Sequence, residues 1–123
     1  MNIKEKVYKA LSTSRELTSM LVKDRHCRCI YPGISPNAGS YPIIVYNVIS
    51  DVPAFTVDGE EIERRVTVRI QILTRDGRYD HIYAAVNRIM KGLGFMRSQT
   101  VDIAERDVFV LCVDYRIGTG VDD

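Results

Sequence analysis

At 123 residues, with 46% hydrophobic and 27% charged side chains, the chain has the make-up of one ordinary folded domain and not of a disordered or fibrous protein. Lys and Arg number 17 against 16 Asp and Glu, a formal charge of +1, which lacks the basic excess that a sequence-specific nucleic-acid binder gathers on one face. The longest apolar run is about half a dozen residues, far short of the roughly 20 that span a bilayer, so no membrane association is expected.

Near the N-terminus, Asn2-Ile3-Lys4-Glu5-Lys6 carries charges where a signal peptide needs an apolar core, which implies a chain that stays in the cytoplasm. Ile3, Val7, Ala10 and Leu11 then recur at helical spacing. After the capping hydroxyls of Ser12-Thr13-Ser14 the pattern resumes at Glu16, Leu17, Met20 and Leu21, predicting two short helices or one kinked helix. Arg25 to Ile30 reads as a short strand. Pro32, Gly33, Pro36, Asn37 and Gly39 are too dense a run of breakers for helix or sheet and mark an irregular loop.

Tyr41 to Ser50 is β-branched or aromatic at nearly every position, a strand covered on at least one face, with Pro42 at its start or on an edge. A polar hairpin tip around Asp58, Gly59, Glu60, Glu61 and Glu63 leads into the clearest strand, Arg64 to Leu73. There Val66, Val68, Ile70 and Ile72 alternate with Arg65, Thr67, Arg69 and Gln71. Tyr79, Ile82, Tyr83, Val86, Ile89, Met90 and Leu93 fall on one helical stripe, closed by Gly92 and Gly94. A final hairpin pairs Phe95 to Ile103 with Asp107 to Ile117, and Gly118 to Asp123 is expected to fray. The order is helix, strand, long hairpin, helix, hairpin. It predicts a single α+β domain over residues 1–123, with a mainly antiparallel sheet and two helical segments packed on one face.

Little in this chain points to chemistry. His26, Cys27 and Cys29 have metal-ligand side chains, but one residue separates the cysteines, where zinc sites use about two to four within a pair and require a second pair. His81 and Cys112 would complete a set only through coincidence of folding. The three cysteines cannot all pair within one chain, which suits a reducing compartment. The carboxylates at the hairpin tip lie in a polar turn, where nothing desolvates one of them for acid or base work. No serine stands in a Gly-x-Ser-x-Gly elbow, and Gly92-Leu93-Gly94 is a helix stop with no βαβ unit opening at it. The expectation is a protein without enzymatic activity, metal or cofactor.

The succession of a short helical segment, the turn Ile30-Tyr31-Pro32, the strand Tyr41-Pro42-Ile43-Ile44-Val45-Tyr46, the strand Arg65-Val66-Thr67-Val68-Arg69-Ile70-Gln71-Ile72 and the helix Tyr79 to Leu93 resembles the tail-completion or tail-terminator proteins of long-tailed bacteriophages and prophages. The resemblance runs along nearly the whole chain and rests on order and spacing. It implies a subunit that closes into a ring, typically a hexamer, at the tail-neck junction of the virion after assembly in the host cytoplasm. The ring caps the tail tube, ends its growth and offers a surface to the head-neck connector or stopper protein. DNA would pass through its lumen without sequence-specific contacts. The implied partners are therefore further copies of the chain, the tail tube protein and the neck protein. Another neck or minor tail subunit, or a small-molecule-binding regulatory α+β domain, would present the same elements. The longest polar projections are the candidate protein contacts: Asp58, Glu60, Glu61 and Glu63 at the hairpin tip, and the loop from Gly33 to Ser40 with Asn37 and Ser40.

Overall fold

The computed structural model describes residues 2–34 and 40–120. The first helix, α1 (Ile3–Ser12), starts from Asn2, whose side-chain oxygen accepts a hydrogen bond from the Glu5 backbone N–H at 2.8 Å. Ser14 caps a second helix, α2 (Arg15–Thr18), in the same way, its Oγ accepting from the Leu17 N–H at 3.3 Å. Of the two expectations for this segment, two short helices is the one observed. Ile3, Val7, Leu11, Leu17 and Leu21 are buried beneath them.

Residues 25–28, expected as a strand, instead form a turn folded around Asp24. One carboxylate oxygen of Asp24 accepts from the backbone N–H groups of His26 at 2.7 Å and Arg28 at 2.9 Å, and Cys27 takes a positive φ of 61°. The strand begins only at β1 (Ile30–Pro32), which pairs in parallel with the start of β2 (Ile43–Val57). β2 and β3 (Glu60–Thr74) are each 15 residues long and form one hairpin. α3 (Asp80–Gly92) follows, and then the hairpin of β4 (Met96–Glu105) and β5 (Val108–Gly120). The sheet order is β1-β2-β3-β5-β4, antiparallel except at β1. The fold is α+β, with the two expected helical segments, α1–α2 and α3, contributing to the core on one face of the sheet.

Two boundaries differ from the expectation for a physical reason. β2 starts at Ile43 and continues past Ser50 to Val57, because a bulge between Val48 and Ser50 shifts the alternation without ending the pairing. β5 does not fray at Gly118, since Gly118, Thr119 and Gly120 pair with Arg65, Arg64 and Glu63 of β3.

The main core lies between the helices and the sheet face carrying Ile44, Tyr46, Val66, Val68, Ile70, Ile72, Leu111, Val113 and Tyr115. From α3 it receives Ile82, Ala85, Val86 and Met90, flanked by Tyr79, Tyr83, Ile89 and Leu93, the stripe that the spacing predicts. The opposite face carries a smaller cluster of Tyr31, Ile43, Val45, Leu73, Val110 and Cys112. No helix among the described residues is long and apolar enough to cross a membrane.

Ile70 is fully buried at the centre of β3. Ile70→Ala should therefore cost about 2 to 5 kcal/mol in unfolding free energy. Chemical denaturation checks this, and an unchanged midpoint would show that the face is not the buried one.

Candidate interaction surfaces

The end of the β2–β3 hairpin is built by a two-residue turn. Asp58 and Gly59 take φ values of 52° and 81°, the left-handed pair that a tight hairpin turn of matching twist requires and that Asp-Gly accommodates. From Asp51 to Glu63 every residue is exposed, on both faces of the hairpin. The hairpin thus projects beyond the helices as a free-standing arm. Glu60, Glu61 and Glu63 lie on β3, opposite Val57, Thr56 and Phe55. Near the root of the arm, Asp51 and Arg64 approach to 3.5 Å.

The arm is also apolar, which reading it only for charge overlooks. Val52, Phe55, Val57 and Ile62 are 44% to 54% exposed. Val52 lies opposite Arg65 and Phe55 opposite Glu63, and Arg65 and Glu63 share a face of β3, so the two apolar side chains project to one side. In the sequence they belong to the run Val52-Pro53-Ala54-Phe55-Thr56-Val57, whose exposure only the fold reveals.

Ser40 is exposed and precedes β2, so the two expected contact regions stand at opposite ends of the sheet, roughly 50 Å or more of extended chain apart. Asn37 lies outside the described residues. Ser40 lines a hollow of about 640 Å³ together with Lys23, Arg25, His26 and Tyr31. A second hollow of about 580 Å³ is lined by Tyr41, Arg75 and the turn between β4 and β5. The Arg75 guanidinium sits 5.6 Å from the centre of the Tyr41 ring, a cation–π contact. At this end the charges are of mixed sign, with Asp24, Glu105 and Asp107 among the cations.

The His26, Cys27 and Cys29 cluster does not assemble. Cys27 is exposed and Cys29 buried, burial raises the Cys29 thiol pKa, and Cys112 belongs to the cluster on the other face of the sheet. Among the described residues no three His, Cys, Asp or Glu side chains stand together as a metal site would require.

One buried charge was not anticipated. Asp114 on β5 is 3% exposed, faces away from the helices, and pairs across the sheet with Arg69 of β3 and Gln99 of β4. Arg69 donates to its two oxygens at 2.8 and 3.1 Å, and the Gln99 amide donates at 2.7 Å. Burial works to raise the Asp114 pKa, but these hydrogen bonds and the Arg69 charge outweigh it and hold the carboxyl below its ordinary range. The result is a polar clip across three strands. It is committed internally, whereas the carboxylates of the arm are not.

No protein-family model matches the chain, and no curated protein matches it. Among solved structures, a chain of one described as the virion of a native gene transfer agent particle superposes with a TM-score of 0.63. The match covers 93% of this chain and 91% of that one at 12% sequence identity. The likeness is one of fold and extends along nearly the whole of both chains.

Asp114→Ala should leave Arg69 and Gln99 without their shared acceptor and cost about 1 to 3 kcal/mol at neutral pH. A carboxyl with a depressed folded pKa contributes stability that is present above its unfolded value and lost as pH falls through the folded one. The difference in denaturation midpoint between wild type and variant should therefore shrink as pH drops below 3.8. A difference that stays constant into strong acid would show that the clip does not carry the charge coupling.

Proposed function

We propose that this chain is a phage-type virion morphogenesis protein that acts as a tail terminator. In this reading its copies close into a ring, hexameric by the family resemblance, on the end of the completed tail tube. The ring stops tube growth and presents a surface to the connector or stopper of the neck. The observation that carries the reading is the end-to-end fold match to a chain of a gene transfer agent virion. It agrees in kind with the tail-completion resemblance of the sequence. The domain also has what such a subunit needs, a projecting arm and two sheet ends available to different partners.

The hollows at the Ser40 end are shallow surface features beside the turn of Asp24 and the β4–β5 turn. They are lined by charged side chains of both signs.

The test is an electron micrograph of particles assembled with and without the protein. Without a terminator, tails should be irregular in length and DNA-filled heads should remain separate from them. Tails of normal length beside unjoined heads would assign the chain to the neck instead. Normal, joined, infectious particles in its absence would end the virion-assembly reading.

A further inference from the structure

Two surfaces at the same end of the sheet complement each other. The first is the arm over residues 52–63, which holds Asp58, Glu60, Glu61 and Glu63 without a single Lys or Arg, interleaved with exposed Val52, Phe55, Val57 and Ile62. The second is a trough of about 290 Å³ walled by Arg65, Met96, Arg97 and Arg116, next to a depression of about 310 Å³ on the α3 side that shares Met96 and Arg97 with it. Arg65, Arg97 and Arg116 line the trough, Arg97 and Lys91 line the depression beside it, and no carboxylate lines either. Met96, common to both depressions, is 76% exposed. Among the described residues neither these four cations nor the four carboxylates of the arm form an ion pair. The protein thus displays an acidic, apolar projection and a basic, apolar recess.

The arm cannot fill its own trough. Arg65 stands in the trough wall at the root of the arm, and strand pairing carries each residue from there to Asp58 roughly 3.4 Å further away. We propose that the arm of one copy seats in the trough of the next. This deepens the ring reading and rests on it. Arm and trough are different surfaces of one chain, so the contact is head-to-tail, and its repetition with a constant rotation closes a ring. Opposite charge orients the approach, and the thioether of Met96 is a favourable neighbour for an aromatic ring such as Phe55.

The test is a cross-link. Cys27→Ser removes the exposed thiol, while Cys29 and Cys112 are buried. In that background Glu61→Cys and Met96→Cys are combined in one chain and oxidised across a concentration series up to the solubility limit. Disulfide-linked multimers ending in a closed species are expected. Glu60→Lys with Glu63→Lys, or Arg65→Glu with Arg116→Glu, should each lower the yield at least about tenfold while leaving the thermal midpoint near that of the parent. Mixing the two reversed proteins should restore the yield, because each arm then meets a trough of opposite sign. No arm–trough link at any concentration, or a yield indifferent to both reversals, would overturn the proposal. An open ladder with no closed species would keep the contact and remove the ring. A closed ring in native mass spectrometry without the arm–trough link would do the reverse. If the trough reversal blocks particle assembly while no link forms, the trough belongs to another virion protein and not to a second copy.

Discussion

β3 is 15 residues long and α3, the principal helix laid across the sheet, is 13. At about 3.4 Å per strand residue and 1.5 Å per helical residue these are roughly 50 Å and 20 Å, so the helices cannot cover the strands they fold on. Burial on the helix-facing side of β3 begins only at Val66, and everything before it toward Asp58 stands outside the core. The rest of the molecule follows from that mismatch. The covered half supplies the stability. The uncovered half is held by strand pairing and cross-strand contacts alone, and a hairpin so held is marginal unless its root is fixed. Pairing of Gly118, Thr119 and Gly120 with Arg65, Arg64 and Glu63 fixes that root on one side, and the ion pair of Arg64 with Asp51 lies across it.

Polar groups divide along the same line. Where the sheet is covered or crowded, polar groups have defined internal partners: Asp114 with Arg69 and Gln99, Tyr83 with Thr100, Thr74 with the Gly77 N–H, and Tyr115 with Asn87. Leaving such groups unmatched would be costly. Along the arm and trough the charges are solvated and segregated by sign, so they add little to folding and can differ without disturbing it. Charge is therefore structural in one half and available for recognition in the other.

How much of this could be read from the chain follows from periodicity. The α3 stripe and the β3 alternation are covered on one face, and one-sided burial writes a regular pattern that the sequence reading recovers. β2 was harder. Its bulges after Val48 and Pro53 break the alternation, so Ser50 looked like an end when the strand continues to Val57. The Asp24 turn escaped notice because it is built from backbone N–H groups captured by one carboxylate, a contact that leaves no repeat. The three residues from Gly118 to Gly120 looked like a loose end because glycine is poor strand material, yet an antiparallel partner was already in place beside them. At the candidate site the carboxylates of the arm were legible and the apolar residues beside them went unread. Their exposure depends on where the helices stop, which is a tertiary fact.

The net charge of +1 conceals this arrangement, since a near-zero sum over 17 cations and 16 anions can arise from even mixing or from separation into opposed patches. The arm and the trough show separation. A chain built this way carries its own complement, which is a hazard as well as a means of assembly. Exposed charge and modest apolar area on each surface keep a single contact weak and sensitive to salt. Under the proposed ring, weakness is the useful property. A subunit whose single contacts are weak stays dispersed until a tube end holds several copies at high local concentration, and closure then makes the last contact intramolecular. The length mismatch between strand and helix would in that case be the feature that makes the domain an assembly unit, since a shorter hairpin would be fully covered by its own helices and would present nothing for a neighbour to hold.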